Sequence, residues 1–109
     1  MKKIYISGKI SGLPFDQVCA KFERAEKYLK DYGWQVVSPL TNGLPIDSAW
    51  QEHMKADIRL MLDCDAIYLL DNWVQSRGAR IEFSLACDLG LELYHQTGDG
   101  HLTIDNFKG

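Results

Sequence analysis

No block of lysines or arginines occurs in this chain, and its 12 basic residues are outnumbered by 15 acidic ones, for a net charge of −3. That argues against a nucleic-acid polymer as partner, because binding a phosphate backbone needs clustered Lys and Arg. A small anionic ligand held by backbone amides stays open. There is also no CxxC pair: Cys19, Cys64 and Cys87 are odd in number and lie in or beside apolar segments, so they read as reduced core residues of a cytoplasmic protein. His53, His95 and His101 are scattered without metal-ligand spacing, which leaves them surface or pocket-rim roles and predicts no metal. Nothing approaches transmembrane length. Met1-Lys2-Lys3-Ile4 has the charged start of a signal peptide, but the apolar run stops at Ser7-Gly8, so neither a secretion signal nor a membrane association is expected.

What is present is ordinary in bulk and specific in order. With 109 residues, 46% hydrophobic and 25% charged, the chain is one domain with a single core, short enough that a deep pocket needs a second subunit. Residues 3–7 read as a first strand, stopped by a loop over 8–14 that holds two glycines and one serine. Asp16 is expected to cap a helix with Val18, Phe22, Ala25 and Leu29 on its buried face and Gly33 as its left-handed stop. Residues 34–38 form a second strand, with Trp34 in the core. Residues 39–47, with two prolines and an Asn-Gly, form a loop long enough to lie over a ligand. Ser48-Ala-Trp-Gln51 fits a capping box for the next helix. Residues 65–70 are a third, almost wholly apolar strand, 78–89 a third helix ended by Gly90, and 91–94 a fourth strand. The domain is expected over residues 1–95. Residues 96–109 form a C-terminal extension in which 102–104 could add an edge strand.

This alternation predicts a three-layer Rossmann- or flavodoxin-like α/β domain with a parallel sheet of four or five strands in order 2-1-3-4. Chain direction reverses between strands 1 and 3, and ligands bind outside the carboxyl ends of the strands at such a point.

Two carboxylates mark that edge. Glu82 follows a strand and a glycine-bearing turn in Ser76-Arg-Gly-Ala-Arg-Ile-Glu82, where the periodic residues Ala79, Phe83, Ala86 and Leu89 begin a helix. In a first turn it would stay ionised beside amides able to hold an anion, which suits a nucleophile next to a phosphate; the alternative is an acid that merely complements the helix dipole. Asp57 lies within the stripe Met54, Ile58, Met61 and Leu62. A carboxylate there must be neutral, hydrogen-bonded or facing a polar cavity, as a proton donor would be, or else be bonded structurally to a backbone turn.

The pieces Ile4-Tyr5-Ile6-Ser7-Gly8, Met54-Lys-Ala-Asp57-Ile-Arg-Leu, Cys64-Asp-Ala-Ile-Tyr-Leu-Leu70 and Ser76-Arg-Gly-Ala-Arg-Ile-Glu82-Phe-Ser-Leu-Ala86, in this order and spacing, resemble the nucleoside 2-deoxyribosyltransferase superfamily. Closest in appearance is the small DUF4406 branch. The resemblance implies that Glu82 is the nucleophile at the sugar C1′, that Asp57 is the acid or positioning carboxylate near the leaving base, and that Tyr5 lies beside the nucleophile. It further implies substrate contacts from Ser7, Gly8, Lys9, Ile10, Ser76, Gly78 and Trp73. Trp50 and Trp73 lie near the expected pocket edge, where each could stack a base or simply pack. At position 76 the transferases acting on free nucleosides carry Asp, whereas the deoxynucleoside 5′-monophosphate N-hydrolases carry Ser to help hold phosphate; this chain has Ser76. The family often completes its pocket with a C-terminal Asn or Ser from a neighbouring subunit, for which Asn106 is the candidate here. The implied activity is cleavage or transfer at the N-glycosidic bond of a nucleoside or its 5′-monophosphate, through a covalent glycosyl-Glu intermediate, in a homodimer and without cofactor. Non-catalytic nucleotide sensing in the same crevice is the alternative. Flavin binding is disfavoured by the few loops available to enclose the ring.

Overall fold

The computed structural model describes residues 2–97 and contains a four-stranded parallel sheet in the order β2-β1-β3-β4. The strands are β1 (Lys3–Ser7), β2 (Gln35–Val37), β3 (Ala66–Leu69) and β4 (Glu92–His95), and the helices are α1 (Phe15–Asp31), α2 (Trp50–Leu62) and α3 (Arg77–Asp88). This is the expected flavodoxin-like order. The candidate strand at 102–104 and Asn106 lie outside the described residues.

The two-residue period of β1 and β3 divides the core. Ile4, Ile6, Ala66, Tyr68 and Leu70 face α1 and pack on its Val18, Phe22, Ala25 and Leu29. Tyr5, Ile67 and Leu69 face the other way, onto Met61 of α2, Cys64 just beyond that helix, and Ala86 of α3. Because alternate residues share a face, Ser7 follows Tyr5 to the α2–α3 side. That parity brings two hydroxyls of β1 under α3.

Several local expectations shift. The first helix starts from the Pro14 carbonyl, which accepts from Gln17 and Val18, so Asp16 is a first-turn acid near the positive helix end and not the cap. Ala49 precedes α2 and its carbonyl accepts from Glu52 and His53, while the Ser48 N–H is taken by the Pro45 carbonyl, so no capping box forms. Within α2 the buried stripe is Met54, Asp57 and Met61; Ile58 is half-buried and Leu62, at the last turn, is 52% exposed. Leu89 caps α3 and is 53% exposed, and the buried residues of the helix are Gly78, Ala79, Glu82 and Ala86. Gly33 and Gly90 have positive φ and stop α1 and α3. After Gly90 the Leu91 N–H returns to the Ala86 carbonyl, which delays β4 to Glu92. Trp34 likewise belongs to the α1 stop, through its N–H to Leu29; its ring packs at the core margin, edge-on to Tyr94 at 5.5 Å. Of the cysteines only Cys64 is buried; Cys19 is half-buried and Cys87 exposed, so they are not uniformly core residues. No helix among the described residues is long and apolar enough to cross a membrane.

Candidate active site

The loops leaving β1 and β3 meet at the carboxyl edge of the sheet, where the Asn72 side chain accepts from the Lys9 N–H at 3.0 Å. Beside them opens a cavity of about 360 Å³, within the range of small-molecule sites. Tyr5, Asp57, Ser76, Gly78 and Glu82 line it, together with Gly8 and Ile10.

Glu82 stands six residues into α3, in its second turn, and only 4% of it is exposed. Both carboxylate oxygens are held from β1: the Tyr5 hydroxyl donates to Oε2 at 2.9 Å and the Ser7 hydroxyl to Oε1 at 2.7 Å. Burial pushes the Glu82 carboxyl up to about 7, against the lowering effect of these two hydrogen bonds, and the nearby charge of Asp57 adds to the rise. The expectation of a first-turn acid kept ionised by the helix terminus is therefore corrected. Glu82 lies too far along α3 and too far from water for the terminal amides to set its charge. Tyr5, fully buried beside it, has its hydroxyl proton held more tightly still, by desolvation first and by the Glu82 charge second.

Asp57 is buried on the cavity wall, and desolvation raises its carboxyl above the usual range while a bond from Asn42 and the electrostatic effect of the neighbouring His53 oppose the rise. The Asn42 orientation follows from its neighbours. Its Oδ1 accepts from the Leu44 N–H at 3.0 Å, so its Nδ2 is the group that faces Asp57 Oδ1 at 2.8 Å and His53 Nδ1 at 3.0 Å. His53 Nδ1 therefore accepts, its proton rides on Nε2, and that buried nitrogen has no hydrogen-bond partner among the described residues.

Asn42 is a site residue that sequence reasoning missed, and His53, expected only at the surface or pocket rim, is one whose link to Asp57 it missed. Asn42 sits in an Asn-Gly pair that reads only as a turn, and its bond to Asp57 exists only once the loop folds over α2. His53 lies four residues before Asp57, one helical turn away on the same face, and that spacing was a usable signal.

The remaining expected contacts divide. Ser76 caps α3, its Oγ accepting from the Ala79 N–H at 3.1 Å, which leaves the hydroxyl proton free to donate at the cavity wall. Trp50 lines the cavity, and the Arg77 guanidinium lies 4.6 Å over its ring. Trp73 stands outside the cavity, packed on Phe83 at 4.6 Å. Ser7 is fully buried behind Glu82 and does not reach the cavity, and Lys9, whose N–H bonds the Asn72 side chain, does not line it either.

Gly8 is required by close packing. A Cβ there would lie 2.7 Å from Leu70 Cδ1 and 3.0 Å from Leu70 Cβ, and Leu70 is fully buried. Gly8→Ala is expected to lower stability by about 1–3 kcal/mol, seen as a lower urea midpoint with an unchanged slope.

Among solved structures, the chain is similar to the 2-deoxyribosyltransferase of the psychrotolerant bacterium Bacillus psychrosaccharolyticus, with 26% identity and a TM-score of 0.65 over 88% of this chain and 74% of that one. It also shares its fold with a 2-desoxiribosyltransferase of Leishmania mexicana, with 20% identity and a TM-score of 0.68 over 99% of this chain and 79% of that one. No curated protein matches the sequence. The family model described as a domain of unknown function, DUF4406, matches residues 2–95. With that span of match and this fold, the chain belongs to the DUF4406 family, within the nucleoside 2-deoxyribosyltransferase-like superfamily.

Proposed function

We propose that the protein cleaves or transfers at the N-glycosidic bond of a 2′-deoxynucleoside 5′-monophosphate or nucleoside, with retention. The observation that carries this reading is the buried carboxylate of Glu82, gripped by two hydroxyls, on the same cavity as a second buried carboxyl, Asp57. Glu82 in its ionised form attacks C1′ while the bond to the base breaks. The electron pair goes to the base, which takes a proton from Asp57. Water or a second base then attacks C1′, the bond to Glu82 breaks, and Asp57 in its carboxylate form receives the acceptor's proton. Asn42 orients Asp57, and the His53 Nε2–H is a donor that an acceptor on the base can satisfy.

The likeness to a 2-deoxyribosyltransferase supports the sugar class. The test is to incubate the protein with deoxynucleosides and their 5′-monophosphates, with and without a free acceptor base, and to follow released base by chromatography. Release without acceptor identifies a hydrolase, exchange a transferase, and binding without turnover a nucleotide sensor.

Ser76 carries the proposal of a phosphate-bearing substrate. Its free hydroxyl proton and the amides at the start of α3 suit an oxyanion. Ser76→Asp is the informative variant, because Asp also caps helices and the change isolates charge from stability. The parent is expected to prefer monophosphates, and Ser76→Asp to reduce that preference about tenfold or more in kcat/KM, or roughly 1.4 kcal/mol. Equal kcat/KM for a nucleoside and its monophosphate in the parent defeats the phosphate argument.

We further propose a homodimer. Leu13, Phe15, Leu44 and Ile46 line the cavity yet are exposed, Ile46 at 63%, so a partner closing the mouth would also cover apolar surface. Sedimentation at micromolar concentration is expected to give a dimer; an active monomer rules this out. Residues 96–109 are proposed to be an extension to the α/β domain at 1–95.

A further inference from the structure

We propose that Ser7 is a positioning residue for the second half of the reaction: it holds the Glu82 oxygen that becomes the ester carbonyl and so eases departure of the carboxylate when the glycosyl-enzyme breaks down. This rests on the glycosyl-enzyme reading above.

The two oxygens of Glu82 are inequivalent. Tyr5 and Glu82 line the cavity whereas Ser7 does not, so Oε2, bonded to Tyr5, is the oxygen on the substrate side. Oε1 is the rear oxygen, fixed at 2.7 Å by a fully buried hydroxyl. Ser7 is out of a substrate's reach and acts only through Glu82. An apolar residue at position 7 would suit the buried strand equally well, but it would leave Oε1 without this donor.

The consequence follows from where the charge goes. In the first step Oε2 forms its bond to C1′, and the negative charge leaves Glu82 for the departing base. The Ser7 bond then changes from charge-assisted to a neutral hydroxyl–carbonyl bond of about half the strength. In the second step the C1′–Oε2 bond breaks, its electron pair returns to the carboxylate, and the Ser7 bond strengthens as it does so. Ser7 therefore opposes the first step and favours the second. Tyr5 also donates to the carboxylate, but on the oxygen that must bond to C1′, so its bond is disturbed by the attack itself.

Rapid mixing of the protein with each of the four common 2′-deoxynucleoside 5′-monophosphates, followed by quench, separates the two steps. The parent shows steady release of base. Ser7→Ala is expected to give a burst of base of about one per enzyme followed by a steady rate at least tenfold below the parent's, with the deoxyribosyl phosphate adduct accumulating in the intact mass. Ser7→Thr, which keeps the hydroxyl, restores the steady rate. Ser7→Cys, a weak donor of similar shape, lies between and provides the reading if the Ala variant fails to fold. Equal losses in burst and steady rate without adduct, or no change at all, overturn the role of Ser7 alone. A parent that releases no base and forms no adduct with any of the nucleosides or nucleotides overturns the glycosyl-enzyme reading and this inference with it.

Discussion

Glu82→Gln is expected to abolish turnover, by about 10⁴-fold or more, while the protein becomes more resistant to unfolding at neutral and alkaline pH. The loss in rate follows from removing a nucleophile that acts as a unit with its partners, and it corresponds to roughly 5 kcal/mol of transition-state stabilisation. The gain in stability follows from burial. The Glu82 carboxyl is pushed from its ordinary 4.5 to about 7 in the folded protein, chiefly by desolvation. Between those values the native state binds more protons than the unfolded chain, so this residue's contribution to stability falls as pH rises from about 4.5 and levels off above about 7. A neutral amide of the same shape escapes that loss. Thermal unfolding at pH 5 and pH 8 checks it: relative to the parent, the Gln variant gains at pH 8 and gains little at pH 5. A 2-fluoro substrate analogue that labels any residue other than Glu82 in the parent refutes the nucleophile assignment.

Asp57→Asn is expected to retain the fold and lose about 10²–10⁴-fold in kcat with natural leaving groups, the usual weight of a general acid. The amide can still accept from Asn42 through its own Oδ1, so the wall of the cavity persists, but it has no acidic proton for the base. Substrates whose base leaves without protonation should be largely spared, which a generally misfolded variant would not show. The pH profile is a second readout. In the parent the two carboxyls interact, and both limbs of the rate profile belong to the pair. Removing the Asp57 charge, which helps raise Glu82, should leave a single titration with a midpoint below about 7. Full activity in Asp57→Asn means that the buried carboxyl is structural.

The two variants separate roles that share one cavity. Glu82 is needed whatever the leaving group, whereas Asp57 is needed in proportion to how poor that leaving group is. A sensor that binds without chemistry would show neither pattern.

Fold and edge were legible because periodicity is a local property. Alternating strand and helix patterns, the positive-φ glycines at 33 and 90, and the apolar run at 66–70 each act within a few residues, and together they predict a parallel sheet in order 2-1-3-4 with a ligand edge beyond β1 and β3. The presence of Asp57 in an apolar stripe was legible for the same reason. Helix starts were less so, since Pro14 and Ala49 provide the starting carbonyls without any side-chain signature.

What only the tertiary structure decided is the state of the site. Whether Glu82 meets water or the core depends on how α3 lies against β1, and that packing turned an expected ionised first-turn acid into a buried carboxyl with a raised proton affinity. The same packing moved Ser7 from a presumed substrate contact to the rear of Glu82, and left Trp73 on Phe83 outside the cavity. Asn42 reaches Asp57 across 15 residues of chain because the loop after β2 folds over α2. Residue type and spacing act along the chain and so select elements and candidate groups. Desolvation and hydrogen-bond pairing depend on distances through space between segments far apart in sequence, and these set which oxygen is held, which proton is retained and which side chain faces a ligand.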